Sequence, residues 1–131
     1  MNEKSLDLNE IRNDELEELI HQILTSTDEY IDNDDLEKLF SLLKKAKFIT
    51  PACGAGIIRS SDTTGGVSIP AFTSMDEYTT EFEGGNIKPI ILDYVGILLE
   101  LEDESLEGLF INPEGESFFI IRNLIMKSLN Y

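Results

Sequence analysis

Cys53 and His21 are the single cysteine and the single histidine of this 131-residue chain. They are also the two side chains with the readiest chemistry. A thiol becomes a nucleophile when a nearby base holds its proton. Cys53 could do so only if His21 came close in space, and nothing in the local sequence brings it there. The alternative is an inert thiol in a loop or in the core. His21 as a metal ligand would need partners of the same kind, and no second histidine exists; beside an apolar stripe it reads as a solvated residue or one at the edge of the core. Gly54-Ala55-Gly56 lacks the spacing of a dinucleotide-binding turn, and no Gly-Lys-Ser/Thr is present to form a phosphate loop. Asp28-Glu29 and Asp32-Asn33-Asp34-Asp35 form the densest acidic cluster. Counted from Asp32, however, the sixth position of a calcium loop would be Glu37, where a glycine is required. Carboxylates are so frequent that pairs of them carry no acid–base signal without a cleft. Ser74 has no nucleophile-elbow glycines around it. No catalytic residue, cofactor-binding residue or metal ligand is assigned, and no cofactor is expected.

The charge excludes more than it identifies. Ten Lys and Arg stand against 26 Asp and Glu, a net charge of −16. Binding to nucleic acid or to an anionic membrane needs clustered cations, so neither partner is expected. A high charge of one sign also keeps a small protein soluble. An acidic mimic of nucleic acid would need carboxylates spread over one face. Here residues 1–37 hold 13 acids and only Lys4 and Arg12 as bases, a local charge of −11. A single cysteine allows no internal disulfide and suits a reducing compartment. No segment has the pattern of a signal peptide or a membrane span, which predicts a cytoplasmic protein.

The elements follow from periodicity. Leu16, Leu19, Ile20, Ile23 and Leu24 lie on one helical face behind Asn13 as a cap, with an acidic face opposite. Leu36, Leu39, Phe40 and Leu43 predict a second helix, capped by Asn33 or Asp34. Lys44, Lys45 and Lys47 fall near its end, where cations complement the helix dipole. Phe48-Ile49-Thr50 reads as a strand ended by Pro51. A strand at Ile57–Ser60 has the look of a hairpin arm. Val67–Thr73 is a strand in which Pro70 marks an edge or a bulge. Ser74 and Glu77 form a capping box for a short helix over Met75–Phe82. Ile87–Ile91 reads as a strand, followed by a helix from Leu92 to about Glu102 that contains Gly96. Gly108–Ile111 and Phe118–Ile121 pair through the turn Asn112-Pro113-Glu114-Gly115, and Asn123 can cap a last helix. This alternation predicts an α+β fold: short helices packed on a mixed, mainly antiparallel sheet, with an extra N-terminal amphipathic helix.

Three segments carry a resemblance. Leu39-Phe40-x-x-Leu43-x-x-Ala46 leads into Phe48-Ile49-Thr50-Pro51. Ile69-Pro70-Ala71-Phe72-Thr73-Ser74-x-x-Glu77 follows, and then Gly108-Leu109-Phe110-Ile111-Asn112-Pro113-x-Gly115. In this order they resemble the N-terminal domain of SseB-type (enhanced serine sensitivity) proteins, over about residues 36–129. The resemblance implies an intracellular α+β domain of uncertain biochemical role and supplies no catalytic residues.

The expected organisation is an acidic helical extension over residues 1–30 and an SseB-like domain over residues 31–131. The expected function is a non-catalytic protein-interaction or regulatory module that contacts a protein partner or itself. Its contact residues would be Glu15, Glu18, Asp28, Asp32, Asp34 and Asp35. The alternative is a small-molecule binder or enzyme with a pocket near the 51–66 and 84–86 loops, holding Cys53, Arg59 and Thr73.

Overall fold

The structure is a computed structural model, and it describes residues 8–26, 31–54, 56–61, 66–78, 86–113 and 115–127. Among the described residues, four α-helices and seven strands make an α+β fold. A 3-10 turn, Leu8–Glu10, precedes α1 (Asp14–Thr25) and α2 (Asn33–Lys45). Strands β1 (Lys47–Cys53), β2 (Gly56–Ile57), β3 (Ser60–Ser61), β4 (Val67–Ala71) and β5 (Lys88–Asp93) come next. The chain continues through α3 (Tyr94–Glu100), β6 (Leu106–Ile111), β7 (Phe118–Ile121) and α4 (Arg122–Lys127).

The strands form an antiparallel sheet β2-β1-β5 and a mixed sheet β3-β4-β6-β7. Among the described strands only β4 and β6 run parallel. The two sheets are joined where Ile49 and Phe72 exchange backbone hydrogen bonds of 2.8 Å in each direction. The Thr50 hydroxyl adds a 2.7 Å bond to the Pro70 carbonyl. Thr50 is fully buried, so that bond satisfies a hydroxyl that would otherwise lack a partner.

β1 is buried along Phe48–Ala52, and its successive side chains enter different cores, as alternation along a strand requires. Phe48 joins the main core with Leu16, Leu19 and Ile20 of α1, Leu39 and Leu43 of α2, Ile97 of α3 and Ile125 of α4. Ile49 joins a second cluster with Ile11 and Phe72, flanked by Leu8, Met75 and Tyr78. Covering on both faces explains a strand that reads as a continuous apolar run. The apolar stripe of α1 is therefore part of the same core as α2 and the sheet.

The strand does not stop at Pro51. Pro51 faces Pro89 of β5, and its carbonyl accepts from Ile58 N on the opposite side. The N–H and C=O of one strand residue point the same way, so neither proline is asked for a hydrogen bond across the β1–β5 pair. The segment Ser74–Tyr78 makes only a tight turn, closed by Tyr78 N to Ser74 O at 3.2 Å, in place of the helix expected over Met75–Phe82; residues 79–82 of that expectation lie outside the described residues. The cap of α2 is Asp32, whose carboxylate accepts from Asp35 N at 2.8 Å. α3 is shorter than expected and is capped by Asp93. No helix among the described residues is long and apolar enough to cross a membrane.

Candidate functional site

Two arrangements bring together side chains that could act on something else. The first is a buried polar network. Thr73 is fully buried just after β4. Its hydroxyl donates to the Glu17 carboxylate of α1 in a short hydrogen bond and accepts from Asn112 Nδ2 at 3.0 Å. Thr73 N donates to Asn112 Oδ1 at 3.0 Å, and Asn112 N donates to the Ala71 carbonyl at 2.8 Å. Asn112 takes a positive φ of 49°, which asparagine tolerates better than most residues. Asn13 completes the set: its side-chain amide donates to the Lys47 and Thr73 carbonyls, both at 2.9 Å. It makes no side-chain cap for α1. A threonine beside a carboxylate resembles a nucleophile with its base. An attacking oxygen needs an open approach, however, and this one is sealed in the core. The network ties α1, the turn after β4 and the β6–β7 connection together.

The other residues of the expected pocket do different work. Arg59 reaches Asp103 at 2.8 Å and Glu100 at 3.5 Å, pinning the β2–β3 link to the end of α3. Asp103 also accepts from the Ser105 hydroxyl at 2.7 Å and from Ser105 N at 3.0 Å. The two Ser105 bonds, followed by that from Arg59, lower its pKa to about 2. Cys53 is half-buried at the end of β1, opposite Gly56 in the hairpin. Of the pocket loops, residues 55, 62–65 and 84–85 lie outside the described residues.

The second arrangement is a groove of about 810 Å³ between α2 and α4. α2 turns Leu39, Phe40 and Leu43 into the core, Phe40 keeping 9% of its surface exposed at the groove, and leaves Leu36 half-buried at its edge. α4 starts directly after β7. It is held by fully buried Ile125 and by Arg122 Nε, which donates to the Leu101 carbonyl at 2.7 Å. Leu36, Phe40 and Leu124 give the groove apolar lining, and Ser41 leaves room beside Phe40. Lys44, Lys45 and Lys127 stand on its margin, with Asn33 and Glu37 toward the start of α2. Glu37, Lys44 and Lys45 are exposed and form no ion pair with another described residue.

The acidic residues singled out in the sequence are dispersed. Glu15 and Glu18 are exposed on α1, Asp32 caps α2, and Asp34 and Asp35 lie in its first turn. Asp28 lies outside the described residues. His21 pairs with Glu116 at 2.5 Å, and both are solvent-exposed. In the sequence, Lys44 and Lys45 read as partners of the helix dipole. The groove they line also needs Leu124 and Lys127, about 80 positions further along. Asn13 and Asn112 likewise carry only a cap signal and a turn signal in the sequence, and nothing local marks Glu17 as the partner of Thr73.

No protein-family profile, no curated protein and no solved structure matches this chain.

Proposed function

We propose that this chain is a non-catalytic protein-interaction module acting in the cytoplasm, and that its contact site is the groove between α2 and α4. The observation that carries this reading is apolar lining with a lysine margin on a chain of net charge −16. Leu36, Phe40 and Leu124 match the apolar stripe of a docked helix. Lys44, Lys45 and Lys127 select acidic residues along its flank and suppress basic partners. The resemblance to SseB-type domains belongs to the same proposal. Its quoted segments build α2, β1, the Thr73–Asn112 network and the β6–β7 connection, which is scaffold chemistry rather than reaction chemistry. The half-buried free thiol of Cys53 suits a reducing compartment.

The test is a photo-crosslinking side chain placed at Ser41, inside the groove. In native extract it should form adducts with polypeptide, and Lys44→Glu with Lys45→Glu should abolish them. Adducts that survive the charge reversal, or none at all, would overturn the reading.

A second reading, a small-ligand site, has one observation in its favour. A hollow of about 310 Å³ lies on the outer face of the mixed sheet, lined by Ser60, Ser61, Ser68, Phe110 and Phe119 among others. That volume sits at the lower end of ligand pockets, roughly 300–1,000 Å³. A metabolite screen by thermal shift, repeated with Phe119→Ala, tests it.

A further inference from the structure

We propose that the partner of the α2–α4 groove is a second copy of this chain, with the two α2 helices laid antiparallel about a two-fold axis. This rests on the reading of the groove as a protein-docking site and names its occupant.

The argument is the order of charge along α2. Asp32, Asp34, Asp35 and Glu37 lie at its start and Lys44 and Lys45 at its end. Lys38, its remaining cation, does not line the groove. A two-fold interface is self-complementary only if residue i meets j while j meets i. An antiparallel pair of helices sets the first half of one against the second half of the other. A helix acidic at one end and basic at the other therefore satisfies itself in this arrangement, whereas parallel packing would set like charges together.

The groove-lining residues of α2 give a register. Asn33, Leu36, Glu37, Phe40, Ser41, Lys44 and Lys45 recur at three- and four-residue spacing along one side. The six from Leu36 to Lys45 are symmetric about a point between Phe40 and Ser41, and Asn33 lies beyond the paired stretch. With the axis there, Glu37 of each copy faces Lys44 of the other, Leu36 faces the stem of Lys45, and Phe40 faces Ser41. A serine at the crossing admits the close approach of packed helices, roughly 8–10 Å between axes. Leu124 and Lys127 on α4 form the outer wall.

Net charge does not forbid the pairing. At physiological salt the repulsion between two copies is screened beyond about 8 Å, while the Glu37–Lys44 pairs act at contact. The helix is about 20 Å long, so the interface is smaller than that of a permanent dimer and the association is weak.

Sedimentation velocity on the whole chain at physiological salt, from about 1 µM to 1 mM, reads the outcome. The wild type should show concentration-dependent dimer. Glu37→Lys alone sets lysine against Lys44 twice, and Lys44→Glu alone sets Glu37 against glutamate twice. Each should weaken self-association roughly tenfold or more. Mixing the two variants makes both pairs attractive again and should restore a dimer containing one chain of each. Both positions are exposed, and unchanged circular dichroism and melting establish that each variant is folded. A dimer indifferent to both substitutions, or a mixture without rescue, overturns the proposal and moves attention to other apolar surface such as Val95 and Leu99 of α3. Absence of wild-type dimer also overturns it. The docking-site reading then stands if the Ser41 crosslinker captures a different polypeptide in extract in a lysine-dependent way, and falls with it if it captures none.

Discussion

The Thr73 hydroxyl donates to the Glu17 carboxylate, joining α1 to the turn after β4 across 56 positions of sequence. Thr73 is fully buried and Asn112 nearly so. Thr73→Val keeps the shape and removes both the donor and the acceptor, leaving Asn112 Nδ2 and Glu17 without that partner. A buried polar group that loses its partner costs about 1–3 kcal/mol. Urea denaturation should show a loss of that size. With Glu17→Gln as the second arm of a double-mutant cycle, the two effects should be non-additive.

Leu19 tests whether α1 is structurally separable. It is 2% exposed and shares the main core with Leu39, Leu109 and Ile125. Leu19→Ala should cost about 2–5 kcal/mol, the range for truncating a buried leucine. A fragment of residues 31–131 should lose cooperative unfolding. A fragment as stable as the whole chain would show that α1 contributes nothing to the fold.

Gly108 and Gly54 make a matched pair. A Cβ at Gly108 would overlap the backbone carbonyl of Ile120, and backbone cannot swing aside as a side chain can. Gly108→Ala should therefore exceed the usual overpacking penalty of about 1–3 kcal/mol. A Cβ at Gly54 meets nothing within 4 Å. Gly54→Ala should fall within about 0.5 kcal/mol of the parent protein. Thermal melting of the two variants side by side reads the contrast.

Asp103 should titrate at about 2, below the ordinary carboxylate value of 3.8. Because its folded-state pKa is the lower one, its contribution to stability is complete above about 4. That contribution declines as pH falls toward about 2. Carboxyl-resonance NMR across this window should place its midpoint. Ser105→Ala, which removes the hydroxyl that lowers it most, should raise the midpoint, and so should Arg59→Gln.

The helices and one hairpin were legible because their signals are local. The apolar stripes of α1 and α2, the lysines at the end of α2 and the Asn112–Gly115 turn all sit within a few residues of what they determine; Gly115 N does reach Asn112 O at 3.0 Å. The misreadings have non-local causes. Whether Pro51 ends a strand depends on which side of β1 its missing N–H would face, and that is set by Pro89 and Ile58. Asn13 reads as a helix cap until Lys47 and Thr73 present carbonyls to its amide. The capping-box pattern at Ser74 and Glu77 yields one turn rather than a helix, while Met75 and Tyr78 pack against the Ile11–Ile49–Phe72 cluster. The groove was hidden for the same reason: one wall is α2, the other is α4, and no spacing rule connects them.

The sheet connections also dictate a schedule. β1 pairs with β5, and β4, which lies between them in sequence, pairs with β6, which comes after β5. The two ladders are interleaved, so neither encloses the other. During synthesis, the β1–β5 ladder cannot form before residue 93 emerges, and the edge of β4 stays open until residue 111 does. Until then Ile69 and Ala71, buried in the finished fold, belong to a strand without its parallel neighbour. Such an open edge is the form in which nascent chains stick to one another. The acids concentrated in residues 1–37 emerge ahead of both ladders, so the unfinished chain already carries its densest charge while these strand edges are uncovered.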